Sequence, residues 1–303
     1  MSVREIASGL RFPEGPIAMA DGSIVLVEIA RQTLTRVWNG KSEVIANLGG
    51  GPNGAALGPD GAVYVTNNGG FEWHDRGGML FPGDRPADYT TGRIERVDLK
   101  TGKVERLYEK CNGLKLNGPN DLVFDGKGGF YFTDLGKGYG RLHDRGAVHY
   151  AKADGSMIKE VVFPIDMPNG CGLSPDGKTL YVAQTMAGRL MKFDITAPGV
   201  VAPPIGPLQG ALVCGLPGLQ LFDSLAVEAD GRVAVATIGF PTGGITSIAP
   251  DGTYEQTSFA DPLVTNICFG GADMKTATVC LSATGKLVQA TWPRAGLKLH
   301  HAA

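Results

Sequence analysis

The sequence contains six copies of one pattern, in which a polar residue precedes an apolar strand and a turn position follows seven residues later. The polar residues are Glu14, Asn53, Asn120, Asn169, Asp223 and Asn266, and the turn positions are Asp21, Asp60, Lys127, Asp176, Asp230 and Asp273. Because the register is the same in every copy, the six polar residues occupy equivalent positions. They form a ring if the copies are arranged around an axis.

Each copy predicts a group of antiparallel strands. Glycine follows five of the six turn positions, and Asp-Gly between two apolar runs is typical of a hairpin. A third strand begins at or near a glycine in most copies, and several copies continue into a fourth. Such a repeat predicts an all-β chain, a six-bladed β-propeller with four-stranded antiparallel blades around a central channel, in one domain over residues 1–303. The last copy runs out of chain after Trp292-Pro293, so Val3 to Ala7 is predicted to supply its fourth strand.

Two segments interrupt the repeat. About two dozen residues, Asn67 to Thr91, separate the second and third strands of the second copy and include Trp73 and His74. Long loops in compact domains are often functional, and the aromatic residues favour a lid-like insertion at about 67–91. A shorter excursion in the third copy, Leu135 to Arg145, carries Tyr139.

The composition excludes several other classes of protein. A hydrophobic fraction of 43% is too high for a disordered chain. A net charge of −2 gives no support for a nucleic-acid or anionic-membrane partner, so we expect a small-molecule partner. The chain has neither an apolar segment near the ~18 residues of a membrane span nor an N-terminal signal-peptide pattern, which predicts a cytoplasmic protein. The oligomeric state stays open.

The ring residues predict a metal site. Glu14, Asn120, Asn169 and Asp223 would bring carboxylate and amide oxygens from different blades to one opening, and hard divalent cations prefer such oxygen ligands. The competing interpretation is that Asn and Asp before a strand only form local turns. That alternative stays open for Asn53 and Asn266, whereas Glu is a poor turn residue.

Four motifs carry a resemblance to a known family. Glu14-Gly15-Pro16, the segment Asn117 to Asp121, Pro168-Asn169-Gly170 and Asp223-Ser224 resemble the senescence marker protein, gluconolactonase and luciferin-regenerating-enzyme-like family of metal-dependent lactonases. The resemblance runs from Phe12 to about Ser282. It implies one catalytic divalent ion held by Glu14, Asn169 and Asp223, with Asn120 as a fourth ligand or a substrate contact. Calcium is the first candidate, and zinc, manganese, magnesium and iron(II) are alternatives.

The sequence departs from the family at one substrate-binding position. Members that act on sugar lactones carry an arginine two residues before the position of Asn120, and this chain has Gly118 there. The change removes a bidentate anchor for hydroxyl or carboxylate groups. A sugar lactone such as gluconolactone and a less polar lactone therefore both stay open as substrates.

The resemblance implies hydrolysis of a lactone ring to a hydroxy acid. Asp223 is the candidate general base, and Asn120 would orient the substrate or the water. The predicted substrate-binding residues are Asn53, Trp73, His74, Asn120 and Tyr139. A serine nucleophile is disfavoured because no Gly-x-Ser-x-Gly elbow is present. The alternative from another class is a non-catalytic propeller in which a metal ion stabilises a binding scaffold.

Overall fold

Six of the antiparallel sheets form the blades, numbered 1 to 6 in chain order. The structure is a computed structural model that describes residues 2–204 and 209–302. The innermost strands of neighbouring blades contact one another all the way round, including the last with the first. The predicted six-bladed β-propeller is therefore confirmed. Among the described residues, no helix is long and apolar enough to span a bilayer.

Each blade has four strands that follow one another from the channel outwards. In blade order, the innermost strands are Pro13–Ala18, Pro52–Leu57, Pro119–Phe124, Pro168–Leu173, Leu221–Val227 and Val264–Gly270. The second strands are Ile24–Glu28, Val63–Asn67, Gly129–Asp134, Thr179–Gln184, Val233–Ile238 and Thr276–Leu281. The third strands are Thr33–Trp38, Arg93–Val97, Gly146–Lys152, Arg189–Ala197, Gly244–Ile248 and Lys286–Thr291. The outermost strands are Lys41–Asn47, Val104–Tyr108, Ile158–Ile165, Ala211–Gly215, Tyr254–Ser258 and Val3–Ala7.

Short strands lie outside this plan. Val200–Val201 pairs with the third strand of blade 4. The two-strand ribbons are Trp73–Arg76 with Met79–Pro82, Lys110–Cys111 with Leu114–Lys115, and Gly138–Tyr139 with Leu142–His143.

The N-terminal strand closes the circle, as predicted. Val3–Ala7 pairs antiparallel with Lys286–Thr291, and Val3 lies opposite Ala290. Blade 6 is thus built from both ends of the chain.

The turn chemistry predicted from the repeat is present. Asp21 accepts a hydrogen bond from the Ser23 backbone N–H at 2.9 Å, and Gly22 has a φ of 84°. The sixth copy lacks the glycine, and Met274 adopts the left-handed conformation in its place with a φ of 56°.

The second strands are buried on both faces. Val25 and Val27 pack with residues of blade 2, whereas Ile24 and Leu26 pack with residues of blade 6. Successive side chains of a strand face opposite sides, so each second strand contributes to two cores. The hydrophobic cores therefore lie between blades.

The 67–91 insertion reaches from blade 2 across to blades 1 and 6. The centre of the Trp73 ring lies 5.0 Å from the centre of the Phe12 ring. Phe12 directly precedes the innermost strand of blade 1. The backbone N–H of Leu80 donates to the carbonyl of Ala283 in blade 6 at 3.0 Å. The 135–145 excursion joins its other side, where Arg85 N–H donates to the Gly138 carbonyl at 3.0 Å.

The C-terminal residues close one end of the channel. Leu297 N–H donates to the Val227 carbonyl at 2.8 Å. Leu297, Leu299 and Ala302 line an apolar cavity of about 120 Å³ between this segment and the innermost strands. The opposite end of the channel, where the innermost strands begin, is called the mouth.

Candidate active site at the mouth of the channel

The six polar residues of the repeat all lie at the mouth and are buried. They are called the ring: Glu14, Asn53, Asn120, Asn169, Asp223 and Asn266. In every blade, the pairing of the first two strands shifts register at or beside the ring residue. A bulge redirects a side chain out of the regular alternation. The six bulges explain how the blades bring polar groups together inside an otherwise apolar fold.

Glycines beside the ring allow the innermost strands to approach closely. A Cβ atom on Gly54, next to Asn53, would lie 2.6 Å from the carbonyl oxygen of Asn120. A Cβ atom on Gly170, next to Asn169, would lie 2.6 Å from the backbone nitrogen of Leu225. Both distances are too short for a side chain, so the ring depends on glycine at these positions.

Glu14 is a buried carboxylate held by two donors. Its side chain is 1% exposed, and Oε2 accepts from the Gly15 N–H at 2.9 Å and from Nδ2 of Asn266 at 2.6 Å. Burial raises the pKa of this carboxyl well above its usual range, and the Asp223 carboxylate raises it further. The two acids therefore share one electrostatic environment.

Asp223 and Asn169 lie on neighbouring blades. Burial raises the pKa of the Asp223 carboxyl to about 7, an effect that the Asn169 amide opposes. Nδ2 of Asn169 donates to Oγ1 of Thr185 at 3.1 Å, and its Oδ1 receives only a long hydrogen bond of 3.5 Å from Ser224. Asn169 thus has an amide oxygen available for another partner.

Asn120 presents an oxygen without a partner. Its backbone carbonyl accepts from Oγ1 of Thr66 at 2.6 Å and from Nδ2 of Asn53 at 3.2 Å. Its side-chain Oδ1 is buried and receives no hydrogen bond within the described part of the chain. A buried polar atom left unpaired is costly, so this oxygen is expected to have a ligand.

The donor set at the mouth fits a hard divalent cation. Glu14 and Asp223 are buried acids, and no Lys or Arg charge of the described residues lowers the pKa of either. Together with the Asn120 and Asn169 amide oxygens they form the oxygen-only set that such ions prefer. No three His, Cys, Asp or Glu side chains come together as a metal site in residues 2–204 and 209–302, and the amide oxygens of Asn120 and Asn169 add to the two carboxylates.

The predicted substrate-binding residues occupy different surroundings. Asn53 is in the ring, and both ends of its amide are engaged, since Oδ1 accepts from Nδ2 of Asn68 at 2.9 Å. Trp73 is half-buried in the 67–91 insertion. His74, the next residue, is exposed. Tyr139 donates its hydroxyl to Asp144 at 3.1 Å within the excursion.

Close packing explains why position 118 is a glycine. A Cβ atom there would lie 2.4 Å from the Gly136 carbonyl oxygen. Asp134 holds the loop in this place by accepting from the Gly118 N–H at 2.6 Å and the Asn117 N–H at 2.7 Å. The 135–145 excursion of blade 3 therefore fills the space that an arginine at position 118 would need.

Sequence reasoning missed three residues beside the ring: Asn68, Asp134 and Lys137. Lys137 is almost fully buried and bonds Asn68, which in turn bonds Asn53. Lysine is normally exposed, so a lysine in a predicted loop did not suggest a buried residue next to the ring. The role of Asn266 was left open, and the structure shows it donating to the Glu14 carboxylate.

Comparison with known proteins places the chain in a family. Residues 12–283 match the SMP-30/gluconolactonase/LRE-like region. The chain belongs to this family. The expected resemblance is confirmed, and its boundaries agree with those seen in the motifs.

Curated relatives of the family include lactonase drp35 of two staphylococci. The chain is 38% identical to the Staphylococcus saprophyticus protein over 120 residues, which are 40% of this chain and 36% of that protein. It is 36% identical to the Staphylococcus haemolyticus protein over 150 residues, 50% of this chain and 44% of that one. The alignments thus span less than half the length of these relatives.

Solved structures share the propeller fold at low sequence identity. A gluconolactonase from Xanthomonas campestris has a TM-score of 0.73 at 21% identity, covering 95% of this chain and 88% of that one. A luciferin-regenerating enzyme has a TM-score of 0.71 at 17% identity, covering 98% and 99%. Regucalcin from Agrobacterium tumefaciens has a TM-score of 0.70 at 18% identity, covering 95% and 92%. At these identities the likeness concerns the fold.

Proposed function

We propose that the chain is a divalent-metal-dependent lactonase that opens an intramolecular ester to a hydroxy acid. The observation that carries the proposal is the pair of buried carboxylates, Glu14 and Asp223, at the same opening as the unpaired Oδ1 of Asn120. The names of the curated relatives, lactonase drp35, support the same reaction class.

Glu14, Asn169 and Asp223 would hold the ion, and Asn120 would be either a fourth ligand or a substrate contact beside it. When bound, a divalent ion would supply a Lewis acid that polarises the lactone carbonyl and stabilises negative charge on its oxygen. Calcium is the first candidate, because the donor set is oxygen only and the regucalcin relative is described as a calcium-binding protein.

Asp223 would act as the general base. It would take a proton from the water that attacks the carbonyl carbon and return it to the ring oxygen when the carbon–oxygen bond breaks. The products are a carboxylic acid and an alcohol on one molecule. Asn120 would orient the substrate or the water, because Thr66 fixes its backbone while Oδ1 stays free.

The 67–91 insertion would serve as the lid of the mouth. It starts at blade 2 and is fastened to blade 6 through the Leu80–Ala283 hydrogen bond. Its aromatic residues pack on Phe12, which directly precedes the innermost strand of blade 1. A lid in this position would exclude water other than the attacking molecule.

A less polar lactone is the favoured substrate. Met186, Leu219 and Phe240 lie at the mouth end of blades 4 and 5 and are 58%, 70% and 60% exposed. Their placement follows from the pairing, since Pro168 lies opposite Gln184 and Leu221 opposite Ile238. Exposed apolar side chains around an opening favour an apolar ligand.

A lactone panel assayed with chelator and metal add-back tests the proposal. We expect turnover that EDTA abolishes and a divalent ion restores. Asp223→Asn and Glu14→Gln should abolish it while the blades stay folded, and Glu43→Gln, at an exposed glutamate of blade 1, is the matched control. An ion that binds without any lactone being opened would instead indicate a scaffold, and turnover unaffected by chelation would exclude the metal.

A further inference from the structure

Lys137 is a buried lysine outside the proposed ligand set. It lies in the 135–145 excursion and is 1% exposed. Nζ donates to Oδ1 of Asn68 at 3.0 Å and to the Gly70 carbonyl at 2.5 Å, and it lies 3.5 Å from the centre of the Phe71 ring. An ammonium has three donors and no acceptor, and the two oxygens and the aromatic face satisfy all three.

The burial of this lysine is unfavourable for the stability of the fold. Burial lowers the pKa of Lys137 well below its usual range, and the Asp134 carboxylate only opposes this effect. No carboxylate of the described residues comes within ion-pair distance of it. An apolar side chain of similar volume would avoid this desolvation cost, so stability alone does not account for a lysine here.

The hydrogen bonds of Lys137 lead to the ring. Nζ of Lys137 and the Gly70 N–H both donate to the side-chain oxygen of Asn68, at 3.0 Å and 2.8 Å, and together they fix the direction of this amide. The Asn68 amide nitrogen then faces Asn53 and donates to its Oδ1 at 2.9 Å. This leaves the Asn53 nitrogen to donate to the Asn120 carbonyl. The lysine thus helps to set the orientation of two side-chain amides, first that of Asn68 and through it that of Asn53.

We propose that Lys137 is a positioning residue of the mouth. It fixes the Asn53 amide through Asn68, and it fixes the first residues of the insertion through Gly70 and Phe71. The blade 2 side of the mouth is thereby set in one arrangement before the substrate arrives. The inference rests on the proposed function, since the inference assigns these residues to lactone binding.

A double-mutant cycle between Lys137 and Asn53 tests the inference. In the full-length protein loaded with its ion, Lys137→Met should lower kcat/KM about 10- to 100-fold, mainly through KM, because small misplacements of a substrate contact have effects of this size. Metal affinity should change less than about twofold. In an Asn53→Ala background the same substitution should cost less than about threefold, because the interaction partner is already gone.

The cycle distinguishes a positioning role of Lys137 from a role in stability alone. If Lys137→Met has the same full effect in the Asn53→Ala background, or if it weakens the metal affinity equally, the inference is wrong. Lys127→Met, at an exposed lysine in the turn of blade 3, is the matched control and should leave kinetics unchanged. If Lys137→Met does not fold, Asn68→Ala replaces it in the cycle with Asn53→Ala, because Asn68 is hydrogen-bonded to both Lys137 and Asn53.

A readout without turnover distinguishes this inference from the proposed function. Lys137→Met should increase hydrogen exchange of the backbone amides of residues 68–72, and Lys127→Met should not. Unchanged exchange at residues 68–72 would overturn the inference even in an active enzyme. A wild-type protein that opens no lactone would overturn the proposed function, and this inference with it.

Discussion

The side-chain amide of Asn266 donates a hydrogen bond of 2.6 Å to the carboxylate of Glu14, and this bond joins blade 6 to blade 1. The two residues are separated by 252 positions in the sequence. Glu14 also receives the Gly15 N–H, so one of its oxygens is fully engaged by the protein. The direction of the proposed metal ligand is thus set by the neighbouring blade.

We expect Asn266→Ala to weaken divalent-ion binding without unfolding the protein. Loss of a partner that orients a ligand typically costs about 10- to 100-fold in metal affinity. Isothermal titration calorimetry with calcium would measure the change. Asn47→Ala, at an exposed asparagine in the outermost strand of blade 1, is the control. Equal affinity in both variants would show that the Asn266 hydrogen bond has no part in ion binding.

The stability of the metal-free protein should fall with rising pH. Burial raises the pKa of Asp223 from its ordinary 3.8 to about 7. A carboxyl whose pKa is raised by folding stabilises the folded state at low pH, and this contribution disappears as the pH rises through about 7. Melting temperatures in EDTA should therefore decrease from pH 5 to pH 8, and Asp223→Asn should reduce that decrease by several degrees, on the order of 5 °C. Parallel curves for wild type and variant would contradict the assignment.

An arginine at position 118 should destabilise the protein and fail to create a preference for sugar lactones. Even Gly118→Ala places a Cβ atom 2.4 Å from the Gly136 carbonyl oxygen, and overpacking of this kind costs about 1–3 kcal/mol. Thermal unfolding of Gly118→Ala and Gly118→Arg would measure the loss. Gly215→Ala, whose Cβ would make ordinary contacts with the Arg189 side chain at 3.6 Å and the Gly188 carbonyl oxygen at 3.9 Å, is the control. A stable Gly118→Arg variant with gained gluconolactone turnover would refute the packing argument.

The exposed apolar residues at the mouth should affect only substrates with apolar substituents. Met186→Ser combined with Phe240→Ser should raise KM for alkyl-substituted lactones several-fold, since each buried CH₂ group is worth about 0.8 kcal/mol. KM for gluconolactone should not change. The control is Leu212→Ser, an exposed leucine in the outermost strand of blade 4. Equal effects on both substrate types would argue against an apolar binding surface.

The repeat predicted most of the fold because its signals are local. The turn aspartates, the following glycines and the apolar runs each act within about ten residues, and their fixed register placed all six ring residues at one end of the channel. The N-terminal closing strand could be predicted because the last copy lacked one.

The parts of the site that escaped prediction depend on contacts between distant segments. Lys137 and Asn68 meet across 69 positions, and the path of the 67–91 insertion to Ala283 follows from packing between blades. Gly118 was interpreted as the loss of an arginine anchor, and the close approach of Gly136 adds a packing reason that the sequence did not show. No periodicity in the sequence records such contacts.

The contact between the last blade and the first also bears on when the site can form during folding. Glu14 lies in blade 1 and Asn266 in blade 6, so the two meet only when blade 6 packs against blade 1. Contacts of such sequence separation form slowly. The ion would therefore be the last component to enter, and its binding would report that the whole circle has closed.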